Sequence, residues 1–210
     1  TEQFLALVLG EAMALAFLVS PGRLQAGRER VPWWDWLLCA AALATGLYVA
    51  VRYPDLATEV SMRPRDFLPL AVLVVLLVLE TTRRSTGMSL IWYTAAGLVY
   101  ALWGHQLSGP FAAQTVSFTR LANYLAFDTN ALLGTSLQVA AVVVVPFILL
   151  GQILARCGGS EFFTDVSMAL MGRYRGGAGK VAVTGSAFFG MISGSAVANV
   201  SAVGVVTIPL

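Results

Sequence analysis

The sequence predicts an all-α integral membrane protein with several spanning helices and one re-entrant helical hairpin. Three observations predict it. Of its 210 residues 58% are hydrophobic and only 11% are charged, whereas a water-soluble domain carries nearly a quarter charged residues. Long apolar runs are separated by short clusters of Pro, Gly and Arg, the pattern of helices crossing a bilayer. Finally, the thirty residues from Val181 to Leu210 hold no charge, yet are interrupted by Ser193-Gly194-Ser195-Ala196-Val197-Ala198-Asn199. In hydrocarbon each backbone group freed from helical pairing costs several kcal/mol, so an unwound stretch at membrane depth belongs inside protein or beside a wet cavity.

Taken in order, segment one spans about 4–19 and ends at Ser20-Pro21-Gly22, and segment two spans about 33–51 and ends at Arg52-Tyr53-Pro54. Segment three spans about 67–81 and stops at Arg83-Arg84; segment four covers about 88–104. Together they are expected to form a compact four-helix unit over 1–105. Trp33, Trp34 and Trp36 at one end of segment two, with Trp92 and Trp103 in segment four, fit an interfacial aromatic belt. A connecting segment, 106–131, leads into a long apolar run over about 132–155 that contains Pro146. Over 160–172, Glu161, Asp165 and Arg173 alternate with Phe162, Phe163, Val166 and Met168 at a helical period, which predicts an amphipathic helix on the membrane surface. The basic stretch Gly172 to Lys180 then opens the hairpin over 181–210.

Lys and Arg set the orientation. Loops 20–32, 82–88 and 156–180 hold nine of them (Arg23, Arg28, Arg30, Arg83, Arg84, Arg156, Arg173, Arg175 and Lys180), against four (Arg52, Arg63, Arg65, Arg120) in the alternate loops. The richer side is expected to be cytoplasmic. The hairpin then enters from the cytoplasm and turns back near the midplane, since half-helices of about fourteen residues reach only about 20 Å at 1.5 Å per residue.

Other chemistry finds little support. The cations are spread through short loops, which excludes a nucleic-acid patch. Gly179-Lys180 lacks both the earlier glycine and the following Ser/Thr of a phosphate-binding loop, having Tyr174 and Val181 at those places. His105 has no second metal ligand near it in sequence, and Cys39 and Cys157 read as free thiols. No nucleophile–base pair or carboxylate dyad points to an enzyme. Glu11 falls in the middle of segment one, where an ionised carboxylate facing lipid is costly; it should face a helix, a crevice or another subunit, and it is a candidate proton-linked residue. Glu80, one turn from Arg83 and Arg84, reads as an interfacial ion pair.

The hairpin carries the better chemistry. Ser186, Gly190 and Ser193 share a face of its first arm, and Gly190-Met191-Ile192-Ser193-Gly194 is a small-xxx-small pattern that admits a close neighbour. Ser193, Gly194, Ser195 and Asn199 stand where the helix should break. Hydroxyls and an amide beside freed carbonyls suit Na⁺, with Ser193 and Ser195 as its expected ligands, while the N-terminus of the following half-helix suits a carboxylate.

A family resemblance rests on these residues. Phe147-Ile148-Leu149-Leu150-Gly151, Gly158-Gly159-Ser160-Glu161-Phe162-Phe163, Gly172-Arg173-Tyr174-Arg175-Gly176-Gly177, the run Phe189 to Val200, and Ile208-Pro209-Leu210 resemble the start of the large membrane subunit of tripartite ATP-independent periplasmic (TRAP) transporters. The likeness is greatest to the fused permeases of the TAXI branch, and it extends over about 120–210. Residues 1–105 match in architecture alone, as the small four-helix subunit fused in front.

The resemblance implies an elevator-type secondary transporter without a cofactor, in the bacterial inner membrane. It would import a small organic acid delivered by a periplasmic TAXI-type binding protein, driven by Na⁺ or H⁺. It also implies that 132–210 begin the transport domain, that Ser193, Gly194, Ser195 and Asn199 lie at the hairpin tip, and that a second inverted repeat follows in a longer chain. Some relatives carry Asp where this chain has Asn199, which leaves the coupling ion open. The competing reading is a non-transporting membrane scaffold or assembly subunit; a channel is weaker, because no ring of carbonyls or like charges repeats along the chain.

Overall fold

The computed structural model describes residues 1–20, 32–106 and 113–193. Among the described residues the secondary structure is helical, with no strand. The chain divides into two compact units, Thr1–Gln138 and Val139–Leu210.

The first unit is built on α1 (Glu2–Val19) and α2 (Trp33–Met62), which pack antiparallel. Their crossing is set by two glycines. A Cβ on Gly10 would stand 2.9 Å from the Gly46 Cα, and one on Gly46 would stand 2.7 Å from the Gly10 Cα and 3.0 Å from the Ala6 carbonyl oxygen. No side chain fits there, so the backbones touch. Ala6, Ala14, Ala42 and Ala50, one turn either side of the two glycines, are buried with them, which extends each glycine into a small-residue stripe. α3 (Leu68–Thr86) closes this pair. Met13, Ala14, Phe17, Cys39, Ala42 and Leu77 form a core from all three helices.

α5 (Phe118–Phe127) also packs on α3. Its Ser117 N-cap oxygen accepts from the Arg120 amide at 3.4 Å. Tyr53 Oη donates to the Phe127 carbonyl at 3.2 Å and Asn123 Nδ2 to the Pro64 carbonyl at 2.7 Å, which ties α5 to α2 and to the turn before α3. α4 (Met88–Trp103) joins α3 through Gly87 alone, whose φ of 84° lies in the left-handed region that glycine enters freely. α4 also packs on α3 but buries none of its residues. All five tryptophans are exposed.

Two helices run further than their sequence suggests. The expected stop at Arg52-Tyr53-Pro54 does not occur, and α2 continues to Met62. Proline removes one helical hydrogen bond, but Leu56 beyond it is 1% exposed and Arg52 reaches Asp55 and Glu59 at 3.9 and 3.8 Å. Burial and paired charges hold the continuation. α3 likewise passes Arg83-Arg84 to Thr86, because both arginines pair with Glu80 on the same helix and sit at the C-terminal end, where cations are favoured.

The apolar run after α5 forms α6 (Thr135–Val139), a π turn over Ala140–Val144, and α7 (Val145–Leu154). The π turn answers to Pro146. Val145 N–H donates to the Ala140 carbonyl, five residues back, so the ladder widens just before the residue that cannot donate.

In the second unit, a further π turn over Ala155–Gly159, kinked at Gly158 (φ 87°), separates α7 from α8 (Ser160–Met171). α9 (Gly177–Ser193) follows and packs on α8. The α8 bounds agree with the amphipathic helix expected over 160–172. Phe163 stacks on Phe188 with centroids 6.2 Å apart, Ser167 is fully buried, and Val181 and Phe189 are buried on α9. The packed face of α9 thus holds Val181, Gly185 and Phe189, while Ser186 and Gly190 of the expected small-residue face are half-buried.

Gly46→Ala is expected to force α1 and α2 apart and to cost about 1–3 kcal/mol, the usual range for overpacking. Gly97→Ala, on α4 with nothing within 4 Å of its Cβ position, should be neutral or stabilising. Thermal unfolding of the two variants in one detergent would show the contrast.

Candidate functional site

α1, α2 and α3 meet at one end in a charged cluster. Asp35, in the first turn of α2, is fully buried and receives a 2.7 Å hydrogen bond from Arg84 Nη1, itself only 7% exposed. Arg84 Nε donates to Glu80 Oε1 at 2.7 Å, and Arg83 grips both Glu80 oxygens at 2.7 Å. The Arg84 guanidinium also lies 4.9 Å from the centroid of the Phe17 ring. The buried pair, Asp35 and Arg84, is compensated where it is desolvated, while Glu80 and Arg83 extend the network to the surface. The Glu80 ion pair expected from sequence is present. Its extension to Asp35 was not foreseen, because 49 residues separate Asp35 from Arg84; a lone acid among three tryptophans of an apolar segment was the available signal.

A cavity between α1, α2, α3 and α5, lined by Leu9, Met13, Val49, Val74 and Ala126 among others, measures about 10 Å³, the size of one water.

Glu11 is exposed at mid-length of α1, on the face with Leu7 and Leu15, beside the Gly10 and Ala14 stripe rather than within it. It does not face α2. Ser193 is the final residue of α9, and its side chain is outside the described set; Gly194, Ser195 and Asn199, with the expected hairpin turn, lie outside the described residues. His105 Nδ1 is 3.0 Å from the Leu102 carbonyl oxygen. Cys39 and Cys157 are free thiols, one buried and one exposed.

Among the described residues three helices, Glu2–Val19, Trp33–Leu56 and Thr135–Leu154, are long and apolar enough to cross a membrane. With their outward apolar surface and the buried charge cluster, they define an integral membrane protein. The chain belongs to the family described as the DctM component of tripartite ATP-independent periplasmic transporters, which it matches over residues 73–210. The match starts inside α3, well before the residues that carried the resemblance. The C4-dicarboxylate TRAP transporter large permease protein DctM of Rhodobacter capsulatus is 32% identical over 117 residues, covering 54% of this chain and 27% of that protein. A protein of Haemophilus influenzae named as a TRAP transporter large permease is 34% identical over 89 residues, covering 40% of this chain and 22% of its own length. The chain thus spans about a quarter of the relatives it matches. No solved structure matches it.

Arg84→Ala would strand the Asp35 carboxylate without its guanidinium, at an expected cost of about 3–5 kcal/mol. Glu80→Gln touches a more exposed partner and should cost no more than about 1 kcal/mol. Denaturation midpoints of the two variants, measured side by side, test this ordering.

Proposed function

We propose that the protein is the permease of a secondary active transporter, a multi-pass protein of the bacterial inner membrane that imports a small organic acid. The acid is handed over by a periplasmic binding protein of the TAXI type, and entry is driven by Na⁺ or H⁺. The observation that carries this reading is the polar break Ser193 to Asn199 inside thirty uncharged residues, within the stretch that matches a transporter component. The cargo class is supported by the R. capsulatus relative, whose name specifies C4-dicarboxylates.

In this reading residues 181–210 form a re-entrant hairpin that moves with the cargo, elevator fashion, against the scaffold of the first unit. Ser193 and Ser195 hydroxyls and freed carbonyls hold Na⁺, an ion that prefers hard, uncharged oxygen donors. Gly194 lets the backbone come close, and Asn199 offers an amide to a carboxylate near the following helix N-terminus. Glu11, exposed at mid-length of a membrane-length helix, is the acid available for proton coupling.

The full-length protein reconstituted in proteoliposomes, with its binding protein outside and an imposed Na⁺ gradient, tests the assignment. Ser195→Ala and Asn199→Ala should each lower ion-driven uptake of a dicarboxylate about tenfold or more, equivalent to about 1.4 kcal/mol, with the purified protein as stable as the parent. Undiminished uptake in both variants would remove the hairpin from the mechanism. Glu11→Gln separates the ions: it should abolish any pH-driven component and leave a Na⁺-driven one intact.

A further inference from the structure

The turn between α8 and α9 gathers positive charge without compensation. Arg173, Arg175 and Lys180 lie within eight residues, and no acid occurs from Gly172 to the end of the sequence. Among the described residues none of the three has a carboxylate partner. Two of them converge on one ring: Lys180 Nζ lies 5.3 Å and Arg173 Cζ 5.5 Å from the Tyr174 centroid. The ring face offers each cation some attraction, but it does not neutralise two like charges. An anion placed between them would.

An open groove of about 660 Å³ is lined by Tyr174, Lys180 and Thr184 with Met171 and Val183 as apolar walls, and Arg173 reaches it through the Tyr174 ring. Val183 is itself strongly exposed, as is Met191 further along α9. The groove therefore joins a cation, Lys180, to hydrocarbon-compatible walls, Met171 and Val183. A free dicarboxylate, charged at both ends, does not match that gradient; a phospholipid, anionic at the head and apolar below, does. The turn also lies on the side richer in Lys and Arg, where anionic lipids add attraction for every nearby cation.

We propose that Lys180, Arg173 and Tyr174 bind the headgroup phosphate of an anionic phospholipid from the cytoplasmic leaflet, with the start of its acyl chains against Met171 and Val183. Being a statement about lipid retention, it stands or falls apart from the transport reading.

The test uses the full-length protein in nanodiscs of phosphatidylcholine with a minority of phosphatidylglycerol, and native mass spectrometry of the lipids that stay bound. The unmodified protein should retain phosphatidylglycerol in preference to phosphatidylcholine; equal retention would overturn the proposal whatever the variants do. Lys180→Gln and Arg173→Gln should each weaken retention about fivefold, corresponding to about 1 kcal/mol per surface cation, and Lys180→Arg should preserve it. Undiminished retention in the double Gln variant also refutes the site. Inorganic phosphate added to phosphatidylcholine nanodiscs distinguishes the sources: saturation by phosphate alone, with no gain from phosphatidylglycerol, would mean that a soluble anion is the ligand.

Discussion

Hydrocarbon offers no hydrogen bonds, and that constraint governs most of the local structure. At Pro146 the helix does not simply break. It widens into a π turn in which Val145 donates to Ala140, so the backbone stays paired up to the residue that cannot donate. Side-chain hydroxyls obey the same rule. Thr45, Thr81, Thr82, Ser167 and Thr184 each donate to a carbonyl three or four residues back on their own helix, and so bring no unsatisfied donor into an apolar setting. Within the described residues, local satisfaction is the prevailing solution, which makes the polar break after α9 chemically distinctive.

Association between helices needs a different source, because lipid tails are as apolar as leucine and repel no side chain. Here two devices supply it. Backbone contact at Gly10 and Gly46 lets α1 and α2 approach more closely than any pair of side chains would allow. At one end of that pair, Arg84 joins Asp35 of α2, Glu80 of α3 and the Phe17 ring of α1, so one guanidinium touches all three helices. Close packing fixes the distance between the helices and the charge cluster fixes the axial register of α2 against α3, since sliding either by a turn would part Asp35 from Arg84.

Much of this was legible in the sequence. Composition and apolar runs located the helices, and α8 ended within a residue of its predicted bounds, because amphipathic periodicity is a local property. What failed was reading helix ends from single breakers: Pro54 and the pair Arg83-Arg84 look like stops, but tertiary burial of Leu56 and the Glu80 pairing outweigh them. The Asp35–Arg84 contact, linking residues 49 apart, has no local signature. The Gly10 crossing did have one. Ala6, Gly10 and Ala14 in α1, and Ala42, Gly46 and Ala50 in α2, repeat the spacing noticed only in the hairpin. For the candidate cargo site the sequence speaks more fully than the described structure, since Gly194, Ser195 and Asn199 lie beyond it.

The reciprocity of that crossing has an evolutionary corollary. When a core residue grows, a neighbour can often shrink to make room. Gly10 and Gly46 each abut the other's main chain, and neither has anything left to remove. An enlargement at either position therefore has no compensating partner across the interface, and reversion is the direct remedy. The two sites constitute a mutational dead end, fixed jointly by geometry with no chemistry at stake.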